Sequence, residues 1–67
     1  MNSGDLVMIS APAFLKSVFG EKEMLYVEPG AMALLIRIRG GGSSDIFYEN
    51  NLYNVLTSKL YAFKITW

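Results

Sequence analysis

The segment from Glu28 to Gly42, EPGAMALLIRIRGGG, constrains the fold of this chain more than any other. Pro29-Gly30 is a turn signal. Pro presets φ at position i+1, and Gly at i+2 accepts the positive φ of a type II turn. An apolar-rich run from Ala31 to Arg39 follows and ends in alternation, Ile36 and Ile38 against Arg37 and Arg39. Gly40-Gly41-Gly42 then stops it. Bounded in this way, the run reads as a central β-strand of a small, strongly bent β-domain. Successive side chains of a strand point to opposite faces. Met32, Leu34, Ile36 and Ile38 therefore share one face, wholly apolar and expected in the core. Ala33, Leu35, Arg37 and Arg39 share the other, which turns polar as the strand leaves for solvent.

The rest of the chain reads as further short strands. Asn2 to Asp5 is a turn-type leader, and Leu6-Val7-Met8-Ile9 is an apolar run bounded by turn residues. Ser10 to Met24 admits two readings. Ser10, Pro12 and Gly20 suit the cap, first turn and C′ position of a helix, with Phe14, Leu15, Val18 and Phe19 at helical spacing. The favoured reading is a long loop with at most one helical turn. Met24 to Val27 is a short β-type run. Gly40 to Ser44 reads as a flexible loop, and Asp45 to Glu49 as the start of a returning strand. Asn50-Asn51 marks a kink or bulge. Leu52 to Leu56 and Leu60 to Phe63 are strands joined by a tight Thr57-Ser58-Lys59 connection, and Lys64 to Trp67 is a last short strand.

Composition bounds how such a domain is stabilised. A chain of 67 residues forms a single domain, residues 1–67, and buries only roughly 60% of its unfolded surface. It has no Cys and no His, so neither disulfides nor the usual zinc ligands support the core. Hydrophobic residues make up 52% and charged residues 18%, more apolar material than a sphere this small can hide. Two readings stay open: a protein–protein surface, or a greasy monomeric barrel. The formal net charge is zero, whereas nucleic-acid binders usually carry a basic balance. No apolar run reaches transmembrane length, and Met1 to Asp5 has no signal-peptide pattern. An intracellular or virus-borne origin is expected.

Short strands at close spacing with one long early loop describe a five-stranded, partly open barrel. The order is Gly4-Asp5-Leu6-Val7, a long loop, then Pro29-Gly30-Ala31-Met32-Ala33-Leu34-Leu35-Ile36, closing with Tyr53-Asn54-Val55-Leu56 and Leu60-Tyr61-Ala62-Phe63. This order resembles the small SH3-like barrel proteins encoded by tailed bacteriophages. Ala33 stands where that pattern has a second glycine, and the closing hairpin lacks the common Asp-Gly pair. The resemblance covers nearly the whole chain. It implies an all-β, SH3-like five-stranded barrel with a long first loop, located in the host cytoplasm or the virion. It implies no activity.

Catalytic signals are missing from the sequence. A phosphate-cradling loop needs a helix N-terminus after its glycines, but Ser43-Ser44-Asp45 leads back into β-type sequence, so a plain turn is expected. The carboxylates Asp5, Glu21, Glu23, Glu28, Asp45 and Glu49 fall in loops or at strand ends of this reading. Without His or Cys, general acid–base and nucleophilic chemistry have no evident machinery. The expectation is a non-enzymatic protein with no catalytic residue, cofactor or metal. Aromatic grooves bind extended peptides in SH3-type domains, and aromatics beside basic residues stack bases in small barrels. Tyr53, Phe63 and Tyr61 read as core. Tyr26, Arg37, Arg39, Tyr48 and Trp67 are the candidate partner-binding residues. The favoured function is a structural or interaction module that binds a larger protein or self-associates, without membrane contact. The alternative is a nucleic-acid-binding small barrel using Arg37, Arg39, Lys59, Lys64 and exposed aromatics.

Overall fold

Seven antiparallel strands form one sheet in the computed structural model of the protein, which describes residues 2–19 and 24–62. They are β1 (Leu6–Ile9), β2 (Ala13–Ser17), β3 (Met24–Val27), β4 (Met32–Arg39), β5 (Ser43–Tyr48), β6 (Asn51–Leu56) and β7 (Leu60–Ala62). Their order across the sheet is β3-β2-β6-β5-β4-β1-β7. The sheet curls without closing. One core collects buried side chains from every strand: Val7, Ile9, Ala13, Leu15, Val27, Ala33, Leu35, Ile46, Val55 and Leu60.

The segment read as a long first loop is instead largely β. Ala13 and Leu15 are buried while Phe14 and Lys16 are exposed, a period-2 alternation that outweighs the helical spacing of Phe14, Leu15 and Val18. The β2 strand pairs with β3 (Leu15 opposite Leu25) and with β6 (Lys16 opposite Asn54). The sheet thus has seven strands where a five-stranded barrel was expected.

Local chemistry sets the turns. Gly30, at φ 104°, takes the left-handed position after Pro29, and its N–H donates to Ile9 O at 2.8 Å. The three glycines make the hairpin between β4 and β5, so Arg39 lies opposite Ser43. Strand β5 thus begins at Ser43, and Ser43 and Ser44 belong to it rather than to a flexible loop. Between β5 and β6 the turn is Glu49-Asn50 with φ of 47° and 66°, and Tyr48 opposes Asn51. Two positive-φ residues between paired strands are the signature of a type I′ hairpin, so Asn50 is a turn residue and Asn51 opens the next strand. Thr57–Lys59 is a single 3-10 turn, as its tight-connection chemistry implies. The strand expected over residues 64–67, and Phe63 with it, lies outside the described residues.

The face of β4 assigned to the core is reversed over the first half of the strand. Ala33 and Leu35 are 5% and 0% exposed, whereas Met32, Leu34, Ile36 and Ile38 are 37%, 40%, 37% and 51% exposed. Both faces of this strand are apolar at its start, so the neighbours decide. Ala33 sits opposite Val7 and Leu35 opposite Ile46, both fully buried. The alternation then breaks. Leu35 pairs with Ile46 but Arg37 pairs with Asp45, leaving Ile36 as an extra residue in a β-bulge. Past the bulge, Arg37 and Arg39 fall on the face of Leu34. Tyr61 is exposed rather than core.

The Glu49-Asn50 turn yields a stability test. Type I′ turns favour Asn-Gly, and a left-handed conformation costs a non-glycine residue roughly 1–2 kcal/mol. The double substitution Glu49→Asn, Asn50→Gly is expected to raise stability by about 1 kcal/mol, measured by urea denaturation.

Candidate functional site

The core takes one face of the sheet, and the opposite, outer face holds the groups able to meet a partner. Residues directly opposite one another on paired strands share a face. One outer row runs Leu6 (β1), Leu34 (β4), Phe47 (β5) and Leu52 (β6). It is apolar throughout. Met32 lies beside it, opposite Met8. Leu6, Leu34 and Phe47 are 39%, 40% and 43% exposed, so nothing among the described residues covers them.

A second row lies two residues along the strands, about 7 Å away. It runs Arg37 (β4), Asp45 (β5), Asn54 (β6), Lys16 (β2) and Met24 (β3). Asp45 is its anchor, with a side chain only 3% exposed. Arg39 Nε–H donates to both carboxylate oxygens at 2.9 Å, and its Nη2 lies 2.8 Å from Oδ2. Asn54 Nδ2 donates to Oδ1 at 3.0 Å, and Arg37 Nε is 3.4 Å from Oδ2. These partners hold the Asp45 carboxyl below its ordinary value of 3.8, chiefly through the Arg39 hydrogen bond and against an opposing contribution from burial. Beneath the row, buried Ser44 shares a 2.6 Å hydrogen bond with Thr57. No buried side-chain polar atom among the described residues lacks a partner.

The residues expected to bind a partner do not form one site. Arg37 and Arg39 share Asp45 on the outer face. Tyr26 is exposed on edge strand β3 and packs against Phe14, with ring centroids 5.2 Å apart. Three strands separate it from β4, roughly 19 Å at the usual strand spacing. Tyr48 is half-buried against the core and lies 6.4 Å from the Tyr53 ring, and burial pushes its phenol above the usual value. It is a packing residue, since Tyr48 shares the inner face with Ser44 and Ile46. Trp67 and Lys64 lie outside the described residues. Asp45, read as a loop or strand-end acid, is instead a buried strand residue.

Sequence reasoning passed over Lys16, Ser43, Asn54 and Asp45 as site residues. A usable signal existed for the acid. A three-residue glycine hairpin places Arg39 opposite Ser43, and counting back from it places Arg37 opposite Asp45. Lys16 and Asn54 carried none, because their meeting depends on the long-range β2–β6 pairing. Among the described residues there is no cluster of His, Cys, Asp or Glu fit to hold a metal, and no helix is long and apolar enough to cross a membrane. The chain matches no protein-family model, no curated protein and no solved structure.

The anchor yields two tests. Truncation of Asp45 removes the acceptor that both arginines share and one of the three acceptors of the Asn54 amide, a loss of about 1–3 kcal/mol for a buried partner. The arginine side chains are 61% and 41% exposed, so water takes them back and the lower part of that range applies. Asp45→Ala is therefore expected to cost about 1–2 kcal/mol in urea denaturation. Because the folded pKa is lowered, Asp45 contributes its stability above pH 3.8 and loses it as pH falls through the folded value. Asp45→Asn should remove that part of the acid limb from a plot of stability against pH.

Proposed function

We propose that the chain is a non-catalytic interaction module of the SH3-like small-barrel kind, a phage virion or accessory protein that binds a larger protein or a second copy of itself. The five-strand set β6-β5-β4-β1-β7, with the β2–β3 hairpin in the position of a long first loop, supports the fold part of this reading. The observation that carries the functional part is the uncovered apolar row Leu6-Leu34-Phe47-Leu52. Contiguous apolar surface of this kind marks a place where another surface belongs, and aromatic and aliphatic anchors near its centre supply most of the affinity.

A nucleic-acid reading draws on Arg37, Arg39 and the exposed aromatics. The grouping of Lys16 with both arginines favours it. Against it stands Asp45, whose charge offsets one of the three cations Lys16, Arg37 and Arg39 and leaves few for the many phosphate contacts of a nucleic-acid backbone. The net charge of zero points the same way.

Leu34 sits mid-row and exposed, so a charge there is tolerated by the fold and not by a docked partner. The expected result for Leu34→Glu is a stability within about 0.5 kcal/mol of the parent. In light scattering the parent should exceed its monomer mass of 7.5 kDa, alone or with its partner, and the variant should not. A parent that stays monomeric at all concentrations, with Leu34→Glu and Phe47→Glu both unchanged in partner capture, would overturn the reading.

A further inference from the structure

The outer face also holds an open hollow of about 300 Å³, lined by Lys16, Ser17, Val18, Arg39, Ser43 and Asn54. We infer that this hollow is an oxyanion-binding site that takes a single phosphate or carboxylate group. Two cations from separate strands, Lys16 on β2 and Arg39 on β4, line it together with the Ser43 hydroxyl, and no carboxylate of the described residues lines the wall. The nearby acid, Asp45, is buried beneath the arginine with its oxygens occupied by Arg39, Arg37 and Asn54.

That buried carboxylate makes the hollow a built site. Arg39 is gripped through Nε and Nη2 at 2.8–2.9 Å, which fixes the plane of its guanidinium. The guanidinium has five N–H donors, so the Nη1 pair and the second Nη2 proton remain to donate elsewhere. Ser43 Oγ accepts from Asn54 Nδ2 at 3.2 Å, which leaves its own proton available to a ligand. The donors that converge on the hollow are thus an ammonium, part of a pinned guanidinium and a hydroxyl. Charge-assisted bonds to oxygen anions use donors of this kind, and a donor already held in place loses less freedom on binding. Asp45 is a positioning residue here. The hollow is distinct from the apolar row, so its failure would leave the docking reading intact.

The test is an NMR titration of the intact chain with inorganic phosphate and, separately, with acetate, at constant ionic strength set with potassium chloride. The expected result is saturable shifts confined to the amides of Lys16, Ser17, Arg39 and Ser43 and to the Arg39 Nε–H. Tighter phosphate binding identifies a phosphate ligand, and tighter acetate binding a carboxylate. Lys16→Gln should weaken binding by about tenfold, the size of one lost charge-assisted bond. Lys16→Arg should retain it. Arg37→Gln, which removes a cation outside the hollow, should change it by less than about twofold if the site is local rather than a diffuse field. Shifts that never saturate, that spread equally over all cations, or that chloride reproduces would overturn the assignment. So would equal affinity in Lys16→Gln.

Discussion

Asp45 keeps a formal charge with a side chain 3% exposed to water. An unpaired carboxylate in that position costs several kcal/mol, so the chain must bring compensating groups to it. The bidentate grip of Arg39 does most of this, and Arg37 and Asn54 complete it. The grip sets a condition on β4. Its arginines must lie on the outer face although Leu35, two residues before Arg37, lies in the core. Strict alternation forbids that. The bulge at Ile36 resolves the conflict by inserting one residue between the two halves of the strand. Asp45, the bulge and the glycine hairpin that sets the register are therefore one constraint.

The composition of the outer face follows. The first half of β4 sends Ala33 and Leu35 inward, which leaves Met32 and Leu34 outside next to Leu6 and Phe47. The second half presents the arginines. An apolar row and a cationic row thus lie side by side on one surface, each crossing several strands. Core and outer face are both rich in apolar groups, which is how a chain that is 52% hydrophobic distributes material one small core cannot hold. The core has small residues at Ala13 and Ala33, and the larger Met32, Leu34 and Phe47 are outside.

Much of the architecture was legible in the sequence. Turn chemistry located Pro29-Gly30 and the glycine triplet, and β-type runs located β1, β4, β6 and β7. The β2 strand was harder, because Phe14, Leu15 and Val18 satisfy a helical spacing as well as a strand period, and only pairing with β6 decides between them. The core face of β4 could not be read from β4 alone. Both faces start apolar, and the choice is made by Val7 and Ile46 on the neighbouring strands. The bulge is equally non-local: Ile36 does not differ in type from Ile38, and what displaces it is the demand of Asp45. Arg37 and Arg39 were visible as site candidates from their spacing. Lys16 and Asn54 were not, since they meet only through the β2–β6 pairing.

A one-residue offset in β4 carries the arginines to the outer face, and cross-strand backbone nuclear Overhauser contacts between β4 and β5 report that offset. Leu34 is expected to face Phe47 and Leu35 to face Ile46, with Arg37 facing Asp45 and Ile36 left without an opposite residue. An unbroken ladder in which Ile36 faces Asp45 would send Arg37 inward with Leu35 and would rule the offset out.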